Sequence, residues 1–275
     1  MSHHSLVSQY QAFVSCAPLW SAPGAPFSLF SFPWQECVSA VENIEVPENV
    51  VFGRKMESFF SHAITHSQRY AVLAENLQVI SGKTTLGEID FLIRDNLEGQ
   101  IIHVELACKF YLYDTSREYI NPYSAWVGPN QNDFLDRKIE KLKNKQLPLL
   151  QHPECQKMLT PIIGSGTSNI FQQVHFPAYL FLPLGAKEAP TNINREAVKG
   201  FWLRPEQLSD SIFDKALFCL PSKSDWLLPP HKNSDWVSVD IGLKQIGELH
   251  KNKKSPMVWV KYPDGKHLRL FVVWW

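Results

Sequence analysis

The chain has 275 residues, 44% of them hydrophobic, enough to bury a sizeable core as one large domain or a domain with extensions. Its 27 lysines and arginines balance 27 aspartates and glutamates, which excludes the basic excess of a tight nonspecific nucleic-acid binder and leaves room for a local basic surface alone. Five cysteines, at positions 16, 37, 108, 155 and 219, form no C-x-x-C pair, which argues against a zinc ribbon or a disulfide framework and fits a reducing cytoplasm.

The first residues, Met1-Ser2-His3-His4-Ser5-Leu6-Val7, lack a charged region followed by an apolar run, and no stretch approaches the ~18 apolar residues of a membrane helix, so neither secretion nor membrane spanning is expected. Residues 5–17 read as a helix. The remainder of residues 1–50 is rich in Pro, Ser and aromatics and reads as an N-terminal extension packed on the core. Met56, Phe59, Phe60, Ala63 and Ile64 then follow helical spacing, and Glu57 lies about 20° beyond the edge of their stripe at ~100° per residue. An extended segment at 70–80 follows. Ser81-Gly82-Lys83-Thr84 resembles the end of a phosphate-binding loop, but Leu77 stands where the upstream glycine is required and a strand follows, so it reads as a turn. His62 and His66 share helical spacing without the glutamate of a metalloprotease motif and read as surface residues.

The segments 85–94 and 101–113, joined by the turn-rich Asp95-Asn96-Leu97-Glu98-Gly99-Gln100, read as an antiparallel hairpin. At period two, Ile102, Val104, Leu106, Cys108, Phe110 and Leu112 form a core face, while Ile101, His103, Glu105, Ala107, Lys109 and Tyr111 form the other. A turn centred between Leu97 and Glu98 sets Asp90 directly opposite Glu105. Like charges roughly 5 Å apart repel by about 3 kcal/mol at an effective dielectric near 20, and by under about 1 kcal/mol in water. The pair is cheap on a solvated face; enclosed, it calls for a cation or a shared proton. Glu88 shares the face of Asp90 and could substitute for it.

A helix is expected from about Gly128-Pro129-Asn130 to Gln146, with Asn130 and Asp133 as helix-start residues. Arg137, Lys138, Lys141 and Lys145 flank its apolar Leu135, Ile139 and Leu142. This local basic flank could contact nucleic acid, or be a solvated face. Gly164-Ser165-Gly166-Thr167-Ser168 lacks the third glycine and acidic partner of a dinucleotide fingerprint. Residues 177–184 read as a buried strand that completes the sheet, and 185–194 as a linker. The last part, 186–275, is a Trp-rich extension whose tryptophans suit packing more than base stacking, closed by a hairpin of 257–262 and 268–273.

Together the helix glutamate, Gly87-Glu88-Ile89-Asp90-Phe91-Leu92 and Glu105-Leu106-Ala107-Cys108-Lys109-Phe110-Tyr111 resemble the core of PD-(D/E)XK nucleases. More closely, Glu105-Leu106-Ala107-Cys108-Lys109-Phe110-Tyr111-Leu112, Trp126-Val127-Gly128-Pro129-Asn130, Gln146-Leu147-Pro148-Leu149 and Ser15-Cys16-Ala17-Pro18-Leu19 resemble a bacterial family catalogued as domain of unknown function 1853, which is grouped with those nucleases. In that family a short further segment is expected beyond Phe271-Val272-Val273. The resemblance implies an α/β fold with a restriction-endonuclease-like core over 51–185: helix, three-stranded antiparallel meander, helix and a further strand, with N- and C-terminal extensions. It implies Mg²⁺ or Mn²⁺ on Asp90 and Glu105, with the Leu106 carbonyl as a further ligand, Glu57 as the helix carboxylate and Lys109 as the catalytic lysine. The expected activity is metal-dependent hydrolysis of phosphodiester bonds in DNA or RNA. The alternative is a catalytically inactive module of the same fold that binds nucleic acid or protein. One departure bears on this choice: the motif places its lysine two residues after the glutamate, where this chain has Ala107, and Lys109 lies one pair further along the same face, about 6–7 Å away. Neither substrate nor oligomeric state follows from the sequence.

Overall fold

The computed structural model describes residues 3–32, 37, 41, 43–116, 121–164, 169–209, 211–230 and 235–275. The Ser165 to Ser168 part of the glycine motif lies outside the described residues. The protein is mixed α/β with two mixed sheets, and it divides into two units, each discontinuous in sequence. Met1–Cys108 and Arg137–Pro177 form the first, Lys109–Asp136 and Ala178–Trp275 the second. No helix among the described residues is long and apolar enough to cross a membrane.

The first unit opens with helices α1 (His3–Val14) and α2 (Phe52–Thr65). The α2 stripe expected from spacing is the buried one: Met56, Phe59, Phe60, Ala63 and Ile64 are each at most 1% exposed. Tyr10 of α1 meets Phe59 edge-on at 5.7 Å and also packs on His62 at 5.1 Å. His62 is therefore buried rather than on the surface, and His66 stacks on it at 4.0 Å. Strands β1 (Tyr70–Ser81) and β2 (Thr84–Asp95) form a long antiparallel hairpin. Its two-residue turn uses Gly82 at φ 59°, a left-handed conformation natural to glycine. Strand β3 (Gln100–Leu106) pairs antiparallel with β2, and β6 (Ile170–His175) adds to β3 in parallel, giving the order β1-β2-β3-β6.

Both sides of this sheet are covered. Phe60 of α2 stacks on Phe91 of β2 at 4.4 Å. Val79, Ile89 and Leu92 cluster with Leu149, Leu150, and Cys155 and Leu159 of α4 (Pro153–Ile163). His175, at the end of β6, is buried among the rings of Phe13, Phe30, Phe32 and Phe60, and desolvation lowers its pKa to about 4.

Three further expectations are corrected. The strand expected over 101–113 is two strands, because the ladder ends at Leu106: its N–H donates to the side chain of Asp90, and the next amide, Ala107 N–H, donates to His175 O at 2.9 Å. The chain resumes as β4 (Lys109–Tyr113) in the other sheet. The helix expected from about Gly128 begins at Leu135. Gly128 N–H donates to Asp133 O at 2.7 Å, Gln131 sits at φ 58°, and the Asp133 carboxylate binds Lys109 rather than a helix start. This α3 (Leu135–Lys141) then widens into a π-helical segment, Leu142–Gln146, before a 3₁₀ turn, Leu147–Gln151. Finally, the strand beside β3 is β6; the apolar segment expected there is β7 (Ala178–Pro183), which lies in the other sheet.

The second unit is an eight-stranded sheet. In chain order it adds β5 (Trp126–Val127), β8 (Val198–Leu203), β9 (Leu217–Cys219), β10 (Val237–Ser238), β11 (Met257–Lys261) and β12 (His267–Val272), arranged β10-β9-β11-β12-β8-β7-β4-β5. The terminal hairpin forms as expected, from Met257↔Phe271 to Lys261↔His267. Gly200 is required where β8 runs beside β12, since a Cβ there would lie 2.2 Å from Arg269 O. Helix α5 (Val239–Lys251) packs closely through Gly242 against Phe218. Trp126 and Trp259 are at most 1% exposed, as packing residues should be.

Candidate metal and phosphate site

The β2–β3 ladder carries the expected register, from Asp95↔Gln100 to Phe91↔Val104. Continued by one residue, it brings Asp90 across from Glu105. There the side chain replaces the backbone: Asp90 Oδ2 accepts the Leu106 N–H at 2.9 Å. The polar face is enclosed, not solvated. His103 and Glu105 are both 0% exposed, and Asp90 is half-buried.

Glu105 is held at both oxygens. Oε1 lies 3.0 Å from His103 Nε2, and Oε2 accepts from Gln146 Nε2, delivered by the last residue of the π-helical segment. The far nitrogen of His103, Nδ1, lies 3.2 Å from Gln172 Nε2, which also donates to Leu147 O at 2.6 Å. The two amide hydrogens of Gln172 meet a carbonyl and a ring lone pair. This arrangement assigns His103 the neutral tautomer with its proton on Nε2, donated to Glu105. Gln146 in turn accepts from Lys138 Nζ through Oε1 at 2.8 Å. A continuous chain of hydrogen bonds thus runs from Lys138 through Gln146, Glu105 and His103 to Gln172.

Asp90 is the costly member. Burial, then the charge of Glu105, push its pKa up to about 8; the Leu106 N–H and the cation of Lys138 act the other way, and Glu57 adds a small upward push. Glu57 is close enough to be felt at Asp90 but is paired with Arg54, whose Nη1 lies 2.6 Å from Glu57 Oε2 and 3.2 Å from Glu88 Oε1. Arg54 also donates to Asn76. Arg54 and Glu57 line a cleft of about 500 Å³ between α2, β1 and the segment before α2, with Ser58, Ser61, His62, Glu75 and Glu45.

The structure therefore brings Asp90 and Glu105 together, with the charge of Glu57 felt weakly at Asp90 and its carboxylate paired with Arg54. Lys109 belongs to the second unit, where Nζ lies 2.6 Å from Asp133 Oδ2 and the Tyr111 hydroxyl lies 3.5 Å from Oδ1. Of the four basic residues on the downstream helix, Arg137, Lys141 and Lys145 are exposed, and Lys138 is half-buried and turned toward Gln146. Gln146 and Gln172 were invisible as site residues in the sequence. Gln146 lies 41 residues from Glu105 and Gln172 lies 69 from His103; no local period joins them. His103 could have been found, since alternation already put it on the face of Glu105.

No group of three or more His, Cys, Asp or Glu side chains among the described residues is arranged to hold a metal ion. A set of two carboxylates nevertheless suits Mg²⁺, which keeps several waters and takes one or two carboxylates together with substrate phosphate oxygens. The unfavourable anionic charge on Asp90 is what a bound dication would offset.

A family model described as "Domain of unknown function (DUF1853)" matches residues 34–273. No curated protein and no solved structure matches the chain.

Proposed function

The chain belongs to this domain-of-unknown-function family, and from that premise we propose that it is a metal-dependent hydrolase of phosphodiester bonds, with Mg²⁺ or Mn²⁺ held by Asp90 and Glu105. The observation that carries the reading is the enclosed carboxylate pair at the end of the β2–β3 ladder, with Asp90 costly as an anion unless a cation joins it. The first unit's order of α2, three antiparallel strands, helices and a parallel fourth strand supports a restriction-endonuclease-like core. When bound, the ion would lower the pKa of a coordinated water and offset charge developing on the scissile phosphate. Glu105 is kept in one orientation by His103 and Gln146, Asp90 would supply the second carboxylate to the ion, and Arg54 holds Glu57 at the cleft edge. Exposed Arg137, Lys141 and Lys145 offer a local surface for DNA or RNA phosphates in a chain of zero net charge.

One observation favours a second reading, a catalytically inactive module of the same fold: Ala107 stands where the motif's lysine belongs, and Lys109 is engaged by Asp133. Mn²⁺ titration by calorimetry separates the two, with wild type beside Asp90→Asn and a cleavage assay on single- and double-stranded DNA and RNA. The enzyme reading expects Asp90-dependent metal uptake and Asp90-dependent cleavage. A folded wild type that takes up no Mn²⁺ removes it.

A further inference from the structure

A site of this kind needs a cation beside its carboxylates to meet the substrate's phosphate. The sequence offers Lys109 for that role, but its Nζ is already 2.6 Å from Asp133 Oδ2. In the first unit the lysine whose charge bears on Asp90 is Lys138. Its Nζ donates to Gln146 Oε1 at 2.8 Å, and the other end of the same amide donates to Glu105 Oε2.

The orientation of this amide matters. With oxygen toward the ammonium and NH₂ toward the carboxylate, Gln146 holds Lys138 near the pair without joining it to Glu105 in a direct ion pair, which would compete with a metal. The winding of the helix makes this possible: Lys138 lies in α3 and Gln146 ends the π-helical segment eight residues on. Such interruptions in an α-helix recur at functional sites. Arg137, Lys141 and Lys145 are exposed along the same stretch, where they offer general attraction without this link to the carboxylates.

We infer that Lys138, on the reading of Asp90 and Glu105 as a metal pair, is the side chain that contacts a phosphate oxygen of the substrate at this site. It takes the place of the lysine that the sequence motif would have put at position 107. An ammonium has three N–H donors on a flexible four-carbon stem. One of these is directed by Gln146 in the structure, and a phosphate placed beside the carboxylates would compete for the ammonium with its present partners. The ligand chemistry is a phosphate group, whether within a nucleic-acid strand or at its end.

The experiment is calorimetry on the full chain, first with Mg²⁺, then with thymidine 5′-phosphate in excess Mg²⁺ and with thymidine as the phosphate-free control. It compares wild type, Lys138→Met, Lys138→Arg and Lys143→Met, an exposed lysine with no assigned role, with thermal melts to verify folding. Lys138→Met is expected to bind Mg²⁺ as well as wild type or better, because a neighbouring cation is removed. Its preference for the monophosphate over the nucleoside should fall by about tenfold or more, the size of one charge-assisted hydrogen bond. Lys138→Arg should restore part of that preference and Lys143→Met should keep it. An equal preference in wild type and Lys138→Met, or no phosphate preference in wild type, overturns the assignment of Lys138 while leaving Mg²⁺ uptake intact. A wild type that takes up no Mg²⁺ overturns the metal pair, and the Lys138 role at that site with it.

Discussion

Asp90 concentrates the energetic conflict of the first unit on one carboxyl. Its folded pKa, about 8, lies above the unfolded value near 3.8. The folded state therefore binds the extra proton between those values. The contribution of this group is fully present below pH 4 and is lost as pH rises through about 8. Asp90→Asn removes the ionisation but keeps an oxygen for the Leu106 N–H. In metal-free protein it should raise stability at pH 8 and above by up to about 5 kcal/mol, several degrees or more in Tm, and leave stability at pH 4 nearly unchanged. Denaturant unfolding at the two pH values is the check, and equal curves for wild type and variant at pH 8 would rule the conflict out. Adding Mn²⁺ should stabilise wild type and not the variant. The opposition of Asp90 and Glu105 was legible in the sequence because period-two alternation and a short turn determine register locally. The enclosure of the pair was not, since burial on that face comes from Gln146, Leu147 and Gln172, distant in sequence.

At the scale of elements, β6 does more than add a fourth strand. Gln172 ties the 3₁₀ turn to the sheet through Leu147 O and orients His103 through Nδ1. Gln172→Leu removes both contacts, leaves a carbonyl and a ring nitrogen unsatisfied, and should cost about 1–3 kcal/mol. It should also weaken Mn²⁺ affinity, because Glu105 loses an oriented donor; the two effects are read from thermal melts and from calorimetry. Polar Gln172 and Gln173 explain why β6 does not stand out in the sequence. Its neighbour β7, Ala178–Pro183, is continuously apolar and looks like the missing partner, yet it pairs in the other sheet. The helix start at Leu135 was obscured for a related reason: Asp133 resembles a capping residue by type, but its carboxylate is bound by Lys109.

Over the whole molecule, the chain leaves and re-enters each unit, with changes after Cys108, Asp136 and Pro177. A protein truncated after Gly185 would keep the first unit's segments but retain only β7, β4 and β5 of the eight-stranded sheet. Leu180 and Phe181 of β7, both fully buried in the intact chain, would face an edge without β8. Such a truncated chain should aggregate, or bind the dye ANS strongly, where the full chain does not. A soluble, cooperatively melting 1–185 fragment would show that the segment up to Gly185 is self-sufficient.

Local chemistry in the sequence determined the elements: the helical stripe of α2, the β1–β2 turn at Gly82, the register of β2 on β3 and the terminal hairpin. Each depends on residues within a few positions of one another, through steric preference and alternation. Tertiary structure alone decided that Glu105 is held by Gln146 and His103, that Lys138 rather than Lys109 bears on Asp90, and that 101–113 divides between two sheets. Those outcomes depend on which distant polar groups meet once water is excluded, where an unpaired carboxylate or amide is too costly to leave and the chain is routed to satisfy it.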